Sequence, residues 1–409
     1  MADEIVLINV SGRDKPGLMS VMTEILDRYG AQLLDIGQAV IHEDLALGIL
    51  VSIDSSQAGG LVKDTMFHTN EIGSTVRISN VSQEEYQAWL EAGGQKRYII
   101  TLLAGGTSSG PLHAVSSLTQ RFELNIDTVR RLTDRGEANP GRGQARLCVE
   151  MRVRGRVQDM GELESQLMTE AERLNFDFSV QEDTVFRRNR RLVAFDMDST
   201  LIRQEVIDEL ALRHGVGGEV AAITRSAMAG EIDFEESFRR RAGLLKGMPI
   251  SILDEIVSAV ELNAGARRLL QALQHFGYKT AVISGGFQYV GEHLARELKI
   301  DYVYANALEV VNGRMTGVVS GPIVDAGRKA ELLRETADRE GIALAQTIAI
   351  GDGANDLPML ASAGLGVAFH AKSVVRARAQ HAISNFGLDA VLYLIGFSDR
   401  DIDQALSGS

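Results

Sequence analysis

Two aspartates directly follow a short apolar run in the segment LVAFDMDST. Asp196 and Asp198 are two residues apart, so at the end of a strand their carboxylates would lie close together, and without a counter-cation at least one would take up a proton. A divalent cation removes that cost. Mg²⁺ suits such a site because it binds through one or two carboxylates, waters and the phosphate oxygens of a substrate. The DxD pattern alone is also common in turns, but DxDST after an apolar strand predicts metal-assisted chemistry on a phosphate group.

A second group of candidate residues follows the apolar run TAVIS, where Ser284, Gly285 and a further glycine precede a helical pattern. A hydroxyl and free backbone N–H groups at a helix N-terminus form a phosphate cradle, although a serine there can also simply cap the helix. Lys329 opens a later helical segment, KAELLRET, where the helix dipole would prefer an anion. It is either a surface lysine or a cation within reach of a bound phosphate.

A third group lies in the segment TIAIGDGANDLPML, which supplies Asp352, Asn355 and Asp356 among two glycines. Several acids and one lysine converging on a serine and a glycine turn would be costly as a purely structural cluster. Around Mg²⁺ and a phosphoryl group the same residues make chemical sense. A competing Ser-His-Asp site has no support from the eight histidines, which show no ligand spacing.

The elements that must position these groups are short buried apolar runs separated by helical segments, namely LVAFDMD, KTAVISGG, DYVYAN, TIAIGDG and GLGVAF. Such runs, each ending in Gly, Asp, Asn or Ser, are typical of parallel strands in a doubly wound α/β sheet. Ligands in that architecture bind beyond the carboxyl ends of the strands. We therefore predict a doubly wound parallel-sheet catalytic core with the polar residues gathered at one edge.

Composition excludes several classes of protein. The chain has 409 residues, 45% hydrophobic and 24% charged, which predicts two to three globular domains. The net charge of -13 disfavours nucleic acid as a partner, and the basic run at residues 187–191 is interpreted as a solvated linker. Apolar runs are too short to predict a membrane span, and the acidic N-terminus does not resemble a secretory signal. The single cysteine, Cys148, excludes an internal disulfide, fits a buried structural thiol and favours a cytoplasmic location.

The first half of the chain is duplicated. The segment from IVLINV to LLDI reads as strand, turn, helix and strand, and about 94 residues later YIITLL to IDTV repeats that order. Each copy continues into a strand, a helix and a further strand. The order predicts two βαββαβ units, each a sheet with helices on one face.

The segments DMDST, ISGG, Lys329 and GDGAND together resemble the haloacid dehalogenase superfamily and, in their details, its phosphoserine phosphatases. The resemblance implies that Asp196 is a nucleophile forming an aspartyl phosphate and that Asp198 is the general acid and base. It implies that Asp196, the backbone carbonyl of Asp198 and Asp352 hold Mg²⁺, with Asp356 supporting them. It further implies that Ser284, Gly285, Lys329 and Asn355 bind the phosphoryl group.

The segment from about residue 201 to residue 263 is helical and resembles the small cap that covers the site in this superfamily. The resemblance assigns Glu205 to the amino group and Arg241 to the carboxylate of O-phospho-L-serine, with Met228 and Phe234 as apolar walls. Read as isolated residues, Met228 and Phe234 would be core and Arg241 a solvated surface arginine. Their joint match to the family's positions favours the substrate role.

The first half resembles tandem ACT domains, which are amino-acid-binding modules with a ferredoxin-like βαββαβ fold. Asp14, Pro16 and Gly17 in GRDKPGLM stand where family members bind an amino acid, whereas the second copy, GGTSSGPL, lacks the aspartate. The resemblance implies serine feedback and side-by-side pairing in a homodimer or larger oligomer, or a scaffold for dimerisation alone. The predicted domains are residues 1–92, 93–185 and 186–409.

Two alternatives to a Mg²⁺-dependent phosphoserine phosphatase remain open from the sequence. The same aspartyl-phosphate chemistry could act on another small phosphomonoester, such as phosphothreonine, or on a phosphorylated protein side chain. The chain could instead be an amino-acid sensor with a vestigial phosphatase domain. Against the sensor, no residue of the predicted catalytic set is missing.

Overall fold

The computed structural model describes residues 3–134 and 146–407. The chain divides into two compact units, Met1–Gln95 and Lys96–Ser409. The second unit thus contains both the second βαββαβ copy and the predicted catalytic core. The three domain bounds drawn from the sequence stay a prediction, because compactness divides the chain in two.

The first unit has the predicted βαββαβ order. Its elements are β1 (Asp3–Arg13), α1 (Leu18–Arg28), β2 (Gln32–Ile41), β3 (Asp44–Asp54), α2 (Ser55–Glu71) and β4 (Thr75–Val81). The strands form an antiparallel sheet in the order β2-β3-β1-β4. Alternate residues of β3, from Leu45 to Ile53, are buried, because one face of the sheet packs against α1 and α2 while the other is exposed. The helix α3 (Gln83–Gly93) follows, and Ser82 and Glu85 cap its N-terminus reciprocally.

The second copy repeats this topology inside the second unit. Its elements are β5 (Arg97–Gly105), α4 (Gly110–Arg121), β6 (Asn125–Arg131), β7 (Arg146–Arg154), α5 (Met160–Leu174) and β8 (Phe176–Glu182). The strand order β8-β5-β7-β6 is equivalent to that of the first unit, so the predicted duplication is confirmed. Cys148 is fully buried in β7, and burial raises the pKa of its thiol well above the ordinary value, as expected for a structural residue.

The rest of the second unit alternates strands and helices. In chain order the elements are β9 (Leu192–Phe195), α6 (Val206–His214), α7 (Gly217–Met228), α8 (Phe234–Gly243), α9 (Ser251–Ala259), α10 (Ala266–His275), β10 (Lys279–Phe287), α11 (Gln288–Leu298), β11 (Tyr302–Val311), β12 (Arg314–Ser320), α12 (Ala326–Arg339), β13 (Thr347–Gly351), α13 (Leu357–Ser362), β14 (Leu365–Phe369), α14 (Ser373–Arg376), β15 (His381–Ile383), α15 (Ala390–Leu394) and α16 (Asp399–Ser407). The strands β11-β10-β9-β13-β14-β15 are parallel neighbours in that order.

Helices cover both faces of this parallel sheet. Val193 and Phe195 of β9 point into one apolar cluster with α10 and α11, while Leu192 and Ala194 point into another with α12 and α13. Successive side chains of a strand point to opposite faces, so a strand that is buried throughout requires cover on both. The predicted doubly wound α/β fold is confirmed.

The two halves of the second unit share one continuous sheet, because β8 pairs antiparallel with β15 at Phe178 and Ala382. The basic run at residues 187–191 follows this junction and is partly buried. Arg187 is 3% exposed and lies 2.7 Å from the buried Glu150 carboxylate, while Arg190 donates to the carbonyl of Ala345. The prediction of a solvated linker is therefore wrong for Arg187 and Arg190, whose guanidinium groups satisfy buried acceptors instead of facing water. It holds for Arg188 and Arg191, which are exposed.

The segment from residue 201 to residue 263 contains α6 to α9, as predicted for a cap. A hairpin of β11 and β12, which the apolar runs do not predict, supports this segment: the backbone N–H of Gly247 donates to the carbonyl of Met315 at 2.8 Å. The hairpin turns at Asn312 and Gly313, both with positive φ, and the Asn-Gly pair is a strong hairpin signal. In the part of the chain that the structure describes, no helix has the length and apolarity needed to cross a membrane.

Candidate active site

The strand β9 delivers Asp196 to the carboxyl edge of the sheet. Its backbone N–H donates to the carbonyl of Ile350 in the neighbouring β13 at 2.8 Å, and the residue is only 6% exposed. Since β13 ends at Gly351, the segments that begin at Asp196 and Asp352 leave the sheet side by side. The side chain of Thr200 links them by donating to an oxygen of Asp352 at 3.2 Å.

Lys329 lies at the centre of the acidic cluster and is fully buried. Its Nζ is 2.8 Å from Oδ1 of Asp196 and 2.6 Å from Oδ1 of Asp356. The other oxygen of Asp356 accepts the backbone N–H of Gly353 at 2.9 Å. The helix that carries Lys329 begins at Ala326 and is capped by Asp325, so the sequence prediction that Lys329 itself starts the helix is wrong.

Three carboxylates of this cluster can share a cation. Asp196, Asp352 and Asp356 each offer an oxygen, and these atoms lie within 4.8 Å of one another. Carboxylate oxygens are the ligands that Mg²⁺ prefers. Both oxygens of Asp356 already accept protein hydrogen bonds, whereas Asp352 is half-buried and accepts from Thr200 through one oxygen. The donor set therefore fits a hard divalent cation, with Asp196 and Asp352 better placed than Asp356 to contact it directly.

The pKa values of the clustered acids also favour a bound cation. Burial, together with the negative charge of Asp356, raises the pKa of Asp196 to about 7 and that of Asp352 to about 6. Burial also raises the pKa of Asp198 well above its ordinary value, and Glu205 adds to the shift. Burial disfavours the charged form of Lys329, but its ion pairs with Asp196 and Asp356 outweigh that effect and raise its pKa. One lysine thus does not balance the clustered acids, and a divalent cation would favour their ionised forms.

The predicted phosphate cradle forms at the end of β10. Ser284 is 1% exposed, and its Oγ accepts the backbone N–H of Gly286 at 2.9 Å. A Cβ atom at Gly286 would overlap the carboxylate of Asp198, so only glycine allows this close approach. Asp198 in turn accepts the backbone N–H of Val206 at 3.1 Å, which places its carboxylate between the cradle and the start of α6.

Two charged residues of the cap face this edge. Glu205 precedes α6 and accepts the hydroxyl of Ser199 at 2.7 Å. Arg241 on α8 is half-buried, and burial lowers its pKa against the opposing charges of Asp208 and Glu205. Its neighbours Arg239 and Arg240 form ion pairs with glutamates one turn away, but within the described residues Arg241 makes no ion pair. The guanidinium is therefore the member of this basic run that is available to a ligand.

Of the remaining predicted residues, some lie at this site and others do not. The Phe234 ring lies over Gly285, where an added Cβ would come within 2.8 Å of the ring, and Asn355 follows Gly353 beside the acidic cluster. Met228 is 69% exposed at the end of α7, so the structure does not bring it into the site as an apolar wall. Asp14, Pro16 and Gly17 lie in an exposed turn of the first unit, and Gly17 has a φ of 104° before α1.

Comparison with known proteins decides the family. Residues 193–361 match the haloacid dehalogenase-like hydrolases, and residues 4–79 match the ACT domain. The chain is 38% identical over 405 residues to phosphoserine phosphatase SerB2 of Mycobacterium tuberculosis, covering 98% of this chain and 96% of that protein. It is 37% identical to the phosphoserine phosphatase of Streptomyces coelicolor over 98% of this chain and 94% of that one. The chain belongs to the phosphoserine phosphatase family.

Solved structures agree with membership of the phosphoserine phosphatase family. A probable phosphoserine phosphatase from Vibrio cholerae superposes with a TM-score of 0.58 at 32% identity, covering 76% of this chain and 89% of that chain. A hydrolase of the haloacid dehalogenase family from Salmonella enterica gives 0.62 at 32% identity, over 73% of this chain and 99% of that chain. The protein is accordingly a phosphoric monoester hydrolase with an N-terminal ACT domain, and the family resemblance predicted from the sequence is confirmed.

Two residues that the sequence patterns did not predict, Thr200 and Asn263, hold the active site in place. Thr200 positions Asp352, and the Asn263 side chain donates to the carbonyls of Ser199 at 3.1 Å and Thr200 at 2.8 Å. Asn263 lies 63 residues from Thr200 in sequence, so no local pattern pairs them. Thr200 stands within the DMDST motif, and its hydroxyl was the one available signal.

Proposed function

We propose that the chain is a Mg²⁺-dependent phosphatase that hydrolyses O-phospho-L-serine to L-serine and phosphate through an aspartyl-phosphate intermediate. The observation that carries the proposal is the buried Lys329 ammonium group, held 2.8 Å from Asp196 and 2.6 Å from Asp356 beside the Ser284 turn. A buried cation and a carboxylate at the mouth of a phosphate cradle suit nucleophilic attack on a phosphoryl group.

In the first step, a carboxylate oxygen of Asp196 attacks phosphorus and the bond between phosphorus and the serine oxygen breaks. The leaving oxygen takes a proton from Asp198, whose carboxylate lies against Gly286 at the cradle. Ser284, the backbone N–H of Gly285 and Lys329 hold the phosphoryl oxygens and stabilise the charge that develops on them. Asn355, in the loop that follows β13, also binds the phosphoryl group.

In the second step, water attacks the phosphorus of the aspartyl phosphate and gives a proton to Asp198. The bond between phosphorus and the Asp196 oxygen breaks, phosphate leaves, and both aspartates return to their starting states. Closure of the cap helices over the site would keep other water away from the intermediate.

Asp196, the backbone carbonyl of Asp198 and Asp352 would hold Mg²⁺, and Asp356 would orient Lys329 and the loop at Gly353. When bound, the cation would neutralise phosphoryl charge and favour the ionised nucleophile. The clustered carboxylate oxygens within 4.8 Å support this assignment.

Substrate selection is assigned to the cap. Glu205 would bind the amino group of phosphoserine, and Arg241 would bind its carboxylate through a bidentate pair. Support comes from Arg241, whose half-buried guanidinium donates through Nε to the carbonyl of Ser237 at 3.4 Å but makes no ion pair within the described residues, whereas Arg239 and Arg240 do. Phe234, over Gly285, would form an apolar wall, and Met228 would join it only if α7 moves on closure.

Replacing Arg241 with alanine should lower kcat/KM for O-phospho-L-serine by about 10²-fold to 10³-fold, as expected when one charged partner of a bidentate pair is lost. Turnover of p-nitrophenyl phosphate, which has no carboxylate to read, should change by less than about threefold. Arg240→Ala is the matched control, because Arg240 is on the same helix but pairs with Glu236. Equal losses on both substrates would reject the assignment of Arg241 to the carboxylate.

We also propose that serine binds the ACT domain and inhibits the enzyme. Asp14 lies beside the N-terminus of α1, where free backbone N–H groups would receive the carboxylate of an amino acid and Asp14 its amino group. Pro16 and Gly17 shape the turn. The edge strand β2 exposes Leu33 (55%) and Ile41 (73%), which supports side-by-side pairing of this domain in a homodimer or larger oligomer.

Asp14→Ala should relieve inhibition by serine, raising the half-inhibitory concentration about tenfold or more, without lowering turnover in its absence. Asp27→Ala, at the opposite end of α1 and likewise exposed, should leave inhibition unchanged. Inhibition by serine that persists unaltered in Asp14→Ala would place the inhibitor in the active site as ordinary product.

A further inference from the structure

The phosphate cradle is an interruption in the sheet. Ile283 of β10 pairs with Tyr304 of β11, and the next pair joins Phe287 to Asn306. Ser284, Gly285 and Gly286 therefore face a single residue of the neighbouring strand. Their backbone groups leave the regular ladder, and a buried carbonyl that leaves a ladder must find another donor.

Asn306 supplies that donor. Its Nδ2 donates to the carbonyl of Gly285 at 2.8 Å, and its side chain is 1% exposed. The Gly285 carbonyl and the Gly286 N–H belong to one planar peptide group, so fixing the carbonyl also orients the N–H. That N–H donates to Ser284 Oγ at 2.9 Å.

The same amide also holds the segment that leads to Lys329. Oδ1 of Asn306 accepts the backbone N–H of Val324 at 2.8 Å. The next residue, Asp325, caps α12 through the N–H of Arg328 at 2.7 Å, and Lys329 lies in the first turn of that helix. One buried side chain therefore connects the serine turn to the helix that carries the lysine.

We infer that Asn306 is a positioning residue that fixes the spacing between the Ser284 turn and Lys329, and so determines how tightly the phosphoryl group is held. The inference rests on the proposed function only in taking these two groups as the phosphoryl ligands. Asn306 itself touches neither substrate nor metal. Because a misplacement of about 1 Å can cost about 10²-fold in rate, its effect should be kinetic as well as structural.

The test replaces Asn306 with leucine, which keeps the volume roughly constant and removes both hydrogen bonds. The kcat for O-phospho-L-serine and for p-nitrophenyl phosphate should fall together, by about 10²-fold, and calorimetry should show at least tenfold weaker binding of inorganic phosphate. Asn306→Asp keeps the acceptor for Val324 and can donate to Gly285 when protonated. Asn306→Asp should therefore retain more activity than Asn306→Leu. The ratio of its rate to the wild-type rate should rise as the pH falls.

The matched control is Gln181→Leu. Gln181 is likewise a buried amide that donates to a backbone carbonyl, that of Leu394 at 2.8 Å, but it lies in β8 away from the cradle. It should lower the midpoint of thermal unfolding without changing kcat or phosphate affinity. Folded Asn306→Leu with unchanged kcat and phosphate affinity, equal losses in Gln181→Leu, or failure of both Asn306 variants to fold at any temperature would each overturn the inference.

The experiment also separates this inference from the proposed function. A wild-type protein that cleaves p-nitrophenyl phosphate but not O-phospho-L-serine would reject the substrate, while the comparison of Asn306→Leu with Gln181→Leu would still decide the positioning role. The calorimetric affinity for inorganic phosphate tests the positioning role of Asn306 even in the absence of turnover.

Discussion

Asp196→Asn is expected to lower phosphate release by about 10⁴-fold or more, because the amide cannot act as the nucleophile. The asparagine fills the same space at the end of β9, and Lys329 keeps Asp356 as a partner at 2.6 Å. The pKa of Asp196 is already raised to about 7 by burial, so loss of its charge should not unfold the protein. Steady-state kinetics and thermal unfolding of the same preparation check both statements.

Acid quenching during turnover of a ³²P-labelled substrate tests the chemistry behind this prediction. The wild-type protein should retain acid-stable label on the chain and Asp196→Asn should retain none. Asp338→Asn, an exposed aspartate on α12, serves as the control and should label normally. Label that persists in Asp196→Asn would assign the nucleophile to another residue.

Lys329→Met is expected to lower both activity and stability. Asp196 and Asp356 would remain buried next to each other without their counter-cation, and removing one partner of a buried ion pair costs about 3–5 kcal/mol. Loss of a phosphoryl-binding cation should lower kcat by about 10³-fold. Urea unfolding should show the lost stability, and Mg²⁺ should restore part of it by supplying positive charge to the same carboxylates.

Lys372→Met is the control for this prediction, because Lys372 is exposed before the short helix α14. It should unfold at the wild-type urea concentration and retain full activity. An unchanged urea midpoint in Lys329→Met would contradict the view that the lysine offsets the charge of the acidic cluster.

The sequence predicted the catalytic edge of the fold well for a physical reason. Strands buried on both faces give continuous apolar runs, and the residue that ends each run marks the carboxyl edge, which is how Asp196, Ser284 and Asp352 could be placed together. What sequence patterns did not reveal are contacts between distant segments. Asn263 and Asn306 bond to backbone groups of other elements, and nothing in their neighbours indicates the partner.

The buried arginines Arg187 and Arg190 are a second case in which contacts between distant segments are not visible in the sequence. Charge density alone favoured a solvated linker at residues 187–191, but Glu150 and the carbonyls of Leu394 and Ala345 supply buried partners from elsewhere in the chain. Tertiary packing also determines the exposure of Met228. Its position matches the family's pattern for an apolar wall, yet it is 69% exposed. The Asn312-Gly313 hairpin, in contrast, has a local sequence signal, because an Asn-Gly pair with positive φ at both residues favours a tight turn between two strands.

The most direct test of the account is phosphate release from O-phospho-L-serine by the full chain with Mg²⁺, measured beside an EDTA-treated sample and the same sample after Mg²⁺ is returned. We expect turnover that EDTA abolishes and Mg²⁺ restores. Turnover that survives complete removal of divalent cations would contradict the metal assignment, and an absence of phosphoserine hydrolysis in the metal-loaded protein would contradict the proposed function itself.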